Sequence, residues 1–365
     1  MWILKILMNI ARKPGSGKRV FVGVSGGVDS SVAALLLKLY GYDVTGVFIR
    51  TWQPDWIECT WRDERRDAMR VCSYLNIPFI ELDLEHEYKT GVADYMISEY
   101  RKGRTPNPDV MCNREVKFGG FLRYAIEQGA DYVATGHYAQ NIDNELIKGN
   151  DIGKDQTYFL WTLTTEQLSH ILFPVGHLPK KHVRTLAKLF GLPTAIKKDS
   201  QGICFIGDID MKEFLKHYID EIPGEVVNEK GEIIGSHNGV LFYTLGERHG
   251  FHITKKGTDD SPYYVIGKNV QQNQLIVSEH PEQNSINTNQ SVSVSDVVLR
   301  IATHQNFKQK YQAQIRYHGE FKDCELIKNN NQYSVIFYDT DYTIAAGQSI
   351  VFYDNNICIG GGIVV

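Results

Sequence analysis

The 365-residue chain contains no closely spaced pair of cysteines. Its six cysteines lie far apart, at positions 59, 72, 112, 204, 324 and 358. Zinc sites built on CxxC pairs and the disulfide frameworks of small secreted domains are therefore not indicated, and we expect no metal held by protein ligands alone. Scattered thiols favour a reducing compartment, so we expect a cytoplasmic protein.

The chain also lacks a long hydrophobic run. The apolar N-terminal segment of residues 1–19 soon turns basic and is too short to span a bilayer, so we expect no membrane association. No acidic residue precedes Asp29, as in an organellar transit peptide. However, the first core strand is expected near Lys18, which leaves little room for such a peptide.

Basic residues are not in excess, because 39 Lys and Arg stand against 43 Asp and Glu, for a formal net charge of −4. Overall charge therefore provides no attraction for nucleic acid. Residues 179–198 differ, because this run contains six basic residues and no acidic one. Nucleic-acid contact and an ordinary solvated helix face are equally good interpretations of the run.

A chain of this length predicts two or three domains. In its first half, β-branched runs at 18–24, 43–49, 77–84 and 130–136 alternate with helical patterns. This alternation predicts a Rossmann-like, doubly wound parallel sheet. Ligands of such sheets bind at the carboxyl ends of the strands, here after Val24, Ile49 and Thr135.

Beyond about residue 220, short β-type runs separated by polar turns predict a small central domain and a C-terminal antiparallel β-barrel. Residues 280–290 have the composition of a linker. We expect a catalytic α/β domain at 1–210, a central domain at 211–280 and the barrel at 281–365.

The sequence GVSGGVDS lies between the first strand and the helix that follows it. Backbone N–H groups and the positive end of the helix dipole face such a turn, and glycine allows a close approach by phosphate. Asp29 and Ser30 are expected to cap the helix. The segment predicts an anion-binding loop formed by Gly23, Val24, Ser25, Gly26, Gly27, Val28, Asp29 and Ser30.

Three named motifs compete for this region. The dinucleotide pattern GxGxxG fails because Ser25 stands where glycine is required. The upstream PGSGK is not a Walker A loop, since Arg12 replaces its first glycine and Arg19 its Ser or Thr. The nucleophile elbow GxSxG matches, but only about twenty residues precede it, too few for the strands and oxyanion-hole loop of a hydrolase. It also leaves Asp29 and Ser30 unexplained.

The string SGGVDSS resembles the pyrophosphate-binding (PP) loop of the ATP pyrophosphatases, which cleave ATP between its α and β phosphates. Four further segments narrow this resemblance, which covers nearly the whole chain, to the tRNA-specific 2-thiouridylases. They are GRTPNPDVMCNREVKF (103–118), ATGHYA (134–139), KDQTYFL (154–160) and KDSQGICFIG (198–207). The resemblance implies an enzyme that adenylates the 2-oxygen of the wobble uridine of tRNA with ATP. Persulfide sulfur then replaces that oxygen, and AMP and pyrophosphate are released.

The resemblance also implies individual roles. Cys204 matches the cysteine that receives a persulfide from a sulfur-donor protein, and Cys112 matches the nucleophile, so that turnover ends with a Cys112–Cys204 disulfide. Asp109 is expected to act as acid or base on the uracil ring. Ile49 and Gly136 are expected beside the adenosine, and Mg²⁺ with the triphosphate. Lys117, Lys197 and Lys198 are expected to favour the thiolates if they fold close by.

A monomer is expected to hold the anticodon arm of the tRNA, with arginine contacting phosphate and tyrosine stacking on bases. The resemblance places these contacts at Asn107, Pro108, Asp109, His137, Lys154, Asp155, Gln156, Arg316, Tyr317 and Gln348. Two features depart from the family pattern. Residues 51–67 lack the acidic, cysteine-containing stretch expected there, and Glu247 stands where Gln is usual.

Two other functions are compatible with part of this pattern. Other adenylating pyrophosphatases, such as amide-forming ligases or lysidine synthetases, need no pair of catalytic cysteines. A non-catalytic RNA-binding or sulfur-carrier protein would not need an intact loop together with Cys112 and Cys204. The remaining cysteines (Cys59, Cys72, Cys324 and Cys358) match no catalytic position.

Overall fold

A computed structural model of the chain describes residues 2–57, 61–199, 204, 207, 209–254, 261–280, 291–300, 310–330, 332–338 and 344–365. Within these residues the strands form three sheets. A parallel α/β sheet is followed by a small mixed sheet and then by an antiparallel barrel, which confirms the predicted fold class.

The first 172 residues contribute seven strands: β1 (Arg19–Gly23), β2 (Asp43–Arg50), β3 (Phe79–Asp83), β4 (Tyr132–Ala134), β5 (Ala139–Ile142), β6 (Glu145–Lys148) and β7 (Ile171–Leu172). Five of them form the parallel sheet in the order β3-β2-β1-β4-β7. The strand order reverses between β1 and β4. Ligands of doubly wound sheets bind at such a switch point.

Helices cover both faces of this sheet: α1 (Trp2–Arg12), α2 (Val28–Leu39), α3 (Trp61–Leu75), α4 (Glu85–Tyr88), α5 (Tyr95–Arg101), α6 (Pro108–Met111), α7 (Phe121–Glu127), α8 (Thr165–Leu168) and α9 (Lys180–Leu189). Two of the helical stretches on this sheet are composite. A π-helical segment, Lys89–Asp94, joins α4 to α5, and a second, Cys112–Gly120, joins α6 to α7.

Strand β1 shows why the sheet is buried on both faces. Val20 and Val22 pack with Leu36 of α2 on one side, whereas Phe21 packs with Phe121 of α7 on the other. All three strand residues are buried. A continuous apolar run is typical of a parallel strand between two helical layers.

The central domain begins with α10 (Met211–Lys216) and contains β8 (Gly224–Val227), β9 (Ile233–His237), β10 (His252–Ile253), β11 (Tyr264–Asn269) and β12 (Gln274–Ser278). These strands form one sheet in the order β10-β9-β8-β12-β11. Its β8–β12 pair is parallel and its other pairs are antiparallel.

The barrel consists of β13 (Ser291–Leu299), β14 (Lys310–Gln314), β15 (Lys322–Asn329), β16 (Gln332–Phe337), β17 (Ser349–Asp354) and β18 (Ile357–Val364). It closes because β13 pairs with both β16 and β18. The β5–β6 hairpin of the first domain extends this barrel sheet through the pairing of Ile147 with Ile357. Local sequence patterns did not predict this link between distant segments.

Side chains fasten the barrel to the α/β domain. The Arg300 guanidinium donates to the carbonyl oxygens of Trp161 (2.8 Å) and Leu163 of the first domain and of Cys358 (2.6 Å) in the barrel. The Trp161 indole N–H donates to Ser349 Oγ at 3.1 Å. These bonds give the barrel a defined position beside the sheet.

No helix in the described part of the chain is both long enough and apolar enough to cross a membrane.

The Arg300 contacts predict a measurable loss of stability. Arg300→Met leaves three carbonyl oxygens without their donor, which lowers the free energy of unfolding by about 2–4 kcal/mol. Urea denaturation measures this loss. The control Arg123→Met removes a guanidinium that is 62% exposed, and a surface change of this kind alters stability by about 0.5 kcal/mol or less. Equal denaturation midpoints for the two variants would show that Arg300 does not fasten the domains.

Candidate active site

The loop between β1 and α2 presents backbone N–H groups. Helix α2 begins at Val28 with Gly27 as its N-cap, and no side chain caps it. The prediction that Asp29 and Ser30 cap this helix is therefore wrong, because both residues lie inside its first turn. Without a capping oxygen, the first-turn N–H groups are available to an anion.

Two glycines allow this loop to pack tightly. Gly26 has φ +70°, and a Cβ atom at this position would lie 2.5 Å from the Glu64 carbonyl oxygen. Gly136 follows β4, and a Cβ atom there would lie 2.7 Å from Ser30 N. The Ser25 and Ser30 hydroxyl oxygens are 3.3 Å apart inside the loop. Any side chain at Gly26 or Gly136 would displace the backbone that forms the loop.

A cavity of about 440 Å³ opens at the carboxyl ends of the strands. Residues that follow β1 and β4 line it, together with Ile49 near the end of β2. Of the eight predicted loop residues all but Gly26 line it, and so does Gly136. The residues expected to bind a nucleotide therefore surround one space.

The two predicted catalytic thiols meet at this cavity. Cys112 Sγ and Cys204 Sγ are 3.4 Å apart, although 92 residues separate them in the chain. Cys112 is buried, whereas Cys204 lines the cavity. Cys204 N–H donates to Asp109 Oδ1 at 3.0 Å, and Tyr88 OH donates to the Cys204 carbonyl oxygen at 2.8 Å. The motif neighbours Ile203 and Phe205 lie outside the described residues.

The two thiols differ in acidity. The hydrogen bond from Cys112 and the Lys117 ammonium together lower the pKa of Cys204 to about 7, against the opposing effect of burial. Burial and the hydrogen bond to Cys204 raise the pKa of Cys112 well above its ordinary value. Burial alone lowers the pKa of Lys117, but the two sulfurs outweigh it and raise that pKa. Cys204 is therefore the more acidic of the two thiols, and Cys112 donates a hydrogen bond to it.

Of the three lysines expected near the thiols, Lys117 hydrogen-bonds to Cys204. Lys198 lines the cavity, whereas Lys197 pairs with Asp67 at 2.8 Å. Burial raises the pKa of Asp109, so this carboxyl group holds its proton to a higher pH than an exposed one.

The other described cysteines have the character of core residues. Cys72, Cys324 and Cys358 are buried. Burial raises the pKa of Cys72 to about 11 and that of Cys324 to about 12, so neither thiol ionises near neutral pH. Cys59 lies outside the described residues.

Asn107 and Pro108, both expected at the tRNA, form the start of α6. Asn107 Oδ1 accepts from the N–H groups of Asp109 (3.1 Å) and Val110 (3.2 Å), and Pro108 is the first helical residue. Asn107 thus caps the helix that carries Asp109 towards Cys204.

The expected tRNA contacts on the segment after β4 differ in exposure. His137 is only 8% exposed, bonds to Thr135 Oγ1 at 2.7 Å and packs on aromatic rings. Asp155 accepts from Gly149 N–H, and Gln156 Oε1 accepts from Tyr138 N–H at 2.9 Å. Lys154 is exposed. The structure therefore offers the Lys154 side chain to a partner more readily than those of His137 and Asp155.

Of the three barrel residues expected at the tRNA, one lies at the cavity. Tyr317 lines the cavity, with its ring centroid 4.4 Å from that of Phe159, and Arg316 beside it is exposed. Gln348 follows Gly347, where a Cβ atom would lie 3.0 Å from the backbone of Thr105. The barrel thus reaches the segment that carries the 103–118 motif.

Three charged residues of the cavity wall had no predicted role. Glu64 lies in the segment that departs from the family pattern, and burial raises its pKa. Lys180 and Asp199 also line the cavity and form an ion pair. Lys180 belongs to the basic run 179–198, whose composition indicated charge but not a partner. Within the described residues, no group of three or more His, Cys, Asp or Glu side chains could hold a metal ion.

The acidity of Cys204 can be tested by alkylation. We expect iodoacetamide to modify Cys204 with a midpoint near pH 7, because the thiolate is present above its pKa of about 7 and is protonated below it. Lys117→Met removes the adjacent ammonium and raises that midpoint by about one pH unit or more. Mass spectrometry of the modified peptide measures both values. Exposed Lys181 provides the control Lys181→Met, and an unchanged midpoint in Lys117→Met would refute the role of Lys117.

Three family models match consecutive parts of the chain. They describe a tRNA methyl transferase HUP domain (residues 18–208), a tRNA methyl transferase PRC-barrel domain (212–279) and an aminomethyltransferase beta-barrel domain (289–364). Among solved structures, the U34-tRNA thiolase NcsA of Methanococcus maripaludis has a TM-score of 0.36 and 20% identity, over 53% of this chain and 64% of that chain.

Curated relatives are much more similar. The tRNA-specific 2-thiouridylase of Oceanobacillus iheyensis is 44% identical over 360 residues, which are 96% of this chain and 95% of the relative. The enzyme of the same name from Halalkalibacterium halodurans is 46% identical, over 94% of each chain. That of Streptococcus thermophilus is 44% identical over 96% of this chain and 95% of its own. With this identity along almost its whole length, the chain belongs to the family of tRNA-specific 2-thiouridylases.

Proposed function

We propose that this protein adenylates the 2-oxygen of the wobble uridine of tRNA with ATP and replaces that oxygen with persulfide sulfur. AMP, pyrophosphate and 2-thiouridine are the products. The observation that carries the proposal is one cavity that joins a PP-type loop to two thiols 3.4 Å apart. The name shared by the curated relatives supports it.

The loop suits the leaving pyrophosphate. A uracil carbonyl oxygen is a poor leaving group, so it must first become part of a phosphate ester. The first-turn N–H groups of α2 and the hydroxyls of Ser25 and Ser30 provide donors for phosphate oxygens. Ile49 and Gly136 line the same cavity and leave an apolar surface for the adenosine.

Mg²⁺ is expected with the triphosphate, where it neutralises phosphate charge. The cavity fits an ion held mainly by phosphate oxygens and water, because the described residues contain no cluster of three metal-binding side chains. Glu64, a carboxylate that lines the cavity beside the loop, is the residue we assign to it.

Sulfur transfer follows from the difference between the thiols. The Cys204 thiolate attacks the outer sulfur of a donor protein's persulfide, so that Cys204 gains this sulfur and the donor leaves as a thiolate. The outer sulfur of the Cys204 persulfide then attacks C2 of the adenylated uridine, and AMP departs with the oxygen. Cys112 attacks the Cys204 sulfur, the bond to the transferred sulfur breaks, and that sulfur remains on C2.

The enzyme then contains a Cys112–Cys204 disulfide, and a two-electron thiol reductant restores it. Lys117 stabilises the thiolates that take part in these reaction steps, because its buried ammonium lies at the sulfurs. Asp109 is assigned to proton transfer at the uracil, since its raised pKa brings it closer to neutral pH.

The anticodon arm is the part of the tRNA that we assign to the rim of the cavity. Tyr317 is placed to stack on a base and Arg316 to contact a phosphate. Lys154 adds a second exposed cation. We propose the remaining tRNA contacts at the positions that the resemblance implies, with a single chain acting on one tRNA.

Methyl transfer is the second candidate, because two of the matching family models are named for tRNA methyl transferases. A methyl group can pass directly from a donor to a nucleophile and needs no second thiol. The close approach of Cys112 to Cys204 therefore favours sulfur transfer over methyl transfer.

The proposal predicts that its two half-reactions can be separated. Cys112→Ser and Cys204→Ser should each lower 2-thiouridine formation on an anticodon stem-loop by about 100-fold or more, because each removes a required thiol. Release of pyrophosphate in a single turnover should change by less than about threefold, since the loop is intact, whereas Cys204→Ser should not release AMP, because AMP leaves only when sulfur attacks C2. Nucleoside mass spectrometry and a pyrophosphate assay measure the two products, with ATP, Mg²⁺ and a persulfide-loaded sulfurtransferase supplied.

The control is Cys324→Ser in the barrel core, which keeps both activities. Thiolation at the wild-type rate by either site variant would eliminate that cysteine from the reaction. A wild-type protein that thiolates without forming AMP would eliminate the adenylation step.

A further inference from the structure

The predicted phosphate loop contains no cation. Among residues Gly23–Ser30 the only charged side chain is that of Asp29, a carboxylate. A carboxylate repels phosphate, and backbone N–H groups carry only partial charges. Any protein cation that acts on a triphosphate here together with Mg²⁺ must therefore come from elsewhere in the fold.

Lys180 is the positive group nearest to this carboxylate. Its Nζ atom lies 2.8 Å from Asp29 Oδ1 and 2.7 Å from Asp29 Oδ2, and 2.9 Å from Asp199 Oδ1. Lys180 is the first residue of α9, which packs against α2. Its side chain is 15% exposed and lines the same cavity as the loop. The fold thus brings to the loop a cation that lies 151 residues away in sequence.

Asp29 is held in place from a second direction. Tyr138 OH donates to Asp29 Oδ1 at 2.7 Å, and the Lys180 ammonium lies 5.7 Å from the centroid of the Tyr138 ring. Each Asp29 oxygen therefore has a partner in the protein. The carboxylate is well placed to orient Lys180 and poorly placed to meet a phosphate of its own charge.

The cluster around Lys180 retains positive charge. Asp199 also pairs with Arg184 and, at 3.5 Å, with Lys154. Three cations thus face the two carboxylates Asp29 and Asp199. Burial acts to raise the pKa of Asp199, but Lys180 and Arg184 outweigh it and lower that pKa, so this carboxylate stays ionised. Arg184 also donates to the Lys197 carbonyl oxygen, which leaves Lys180 as the cation directed at the loop.

Other lysines on the cavity wall are less suitable. Lys117 is engaged with the sulfurs of Cys112 and Cys204. Lys154 and Lys198 are exposed, so water screens their charges. Lys180 is mostly buried and fixed by two carboxylates, and a fixed, partly desolvated ammonium gives the strongest interaction with phosphate.

Given the proposed use of ATP, on which this inference rests, we propose that Lys180 binds a phosphate of the departing pyrophosphate unit. Asp29 acts through Lys180 as a positioning residue. The role expected for Asp29, a direct contact with phosphate, is then replaced by an indirect one. The loop supplies N–H and hydroxyl donors, and α9 supplies the charge.

The test separates phosphate binding from adenosine binding in the full-length protein. Isothermal titration with Mg²⁺ measures the affinities for pyrophosphate, α,β-methylene-ATP and adenosine. Lys180→Gln should lower the affinities for pyrophosphate and α,β-methylene-ATP by about 10- to 100-fold, as expected for loss of a charge-assisted contact. The affinity for adenosine should change by less than about twofold. Lys180→Arg should recover part of the pyrophosphate affinity. Lys181→Gln, one residue further along α9 and exposed, serves as the matched control.

A double-variant cycle tests the role of Asp29. Asp29→Asn should weaken pyrophosphate binding, but Asp29→Asn combined with Lys180→Gln should bind pyrophosphate no more weakly than Lys180→Gln alone. If Lys180→Gln does not fold, the double variant replaces it, because it removes the unpaired carboxylate together with the ammonium. Additive losses would overturn the positioning role.

Two other results would overturn the assignment of Lys180. One is wild-type affinity for pyrophosphate in Lys180→Gln, and the other is an equal loss of adenosine and pyrophosphate binding, which indicates a structural role. Either result leaves the proposed reaction intact. A folded wild-type protein that binds neither pyrophosphate nor α,β-methylene-ATP would instead overturn the proposed use of ATP, and the role of Lys180 with it.

Discussion

The contact between Cys112 and Cys204 is the interaction on which the proposed chemistry of this site depends. It joins residues 92 positions apart, and two further hydrogen bonds hold the backbone of Cys204. Asp109 accepts from the N–H group and Tyr88 donates to the carbonyl oxygen, each bond contributing about 1 kcal/mol. The fixed backbone keeps the Cys204 side chain at the cavity, where its sulfur meets Cys112 and Lys117.

A π-helical segment supports the same contact. Cys112 is the first residue of the segment Cys112–Gly120, and Lys117 follows five residues later in the same segment. In an α-helix such residues point about 140° away from each other. The wider i→i+5 turn brings them closer to one face, where Lys117 meets the sulfurs. This irregularity therefore provides the thiolates with a buried cation.

Sequence patterns were sufficient for the parts of the protein that depend on local signals. Apolar runs between helical patterns identified β1, β2 and β4, and the rule for parallel sheets placed their following loops together. The glycine-rich string located a loop that lines the cavity, and the match of two motifs selected Cys112 and Cys204, whose sulfurs are in contact. These features could be predicted because strand burial and loop chemistry depend on short stretches of sequence.

Features that depend on contacts between distant segments were not predictable. Nothing local to residues 139–148 indicates that this hairpin joins the barrel at Ile357, since the two paired segments lie far apart in the chain. Capping by Asp29 and Ser30 was expected, yet α2 begins at Val28 with Gly27 as its N-cap, two residues before Asp29. Nor did the basic run 179–198 reveal that Lys180 meets Asp29, because a composition count does not identify the partner of a charge.

The distribution of charge reconciles a net charge of −4 with an RNA substrate. Lysines gather at one cavity, where Lys117, Lys154, Lys180 and Lys198 line the wall. Lys180 is partly neutralised by carboxylates and Lys117 lies at the thiols, so few cations remain for the phosphates of a bound RNA. A protein of this kind gains little from diffuse attraction, and more of its affinity must come from stacking and shape at the rim around Tyr317. Because this diffuse attraction is weak, RNA that does not fit the rim binds poorly. The protein can therefore select one RNA loop over the many other RNA surfaces in a cell.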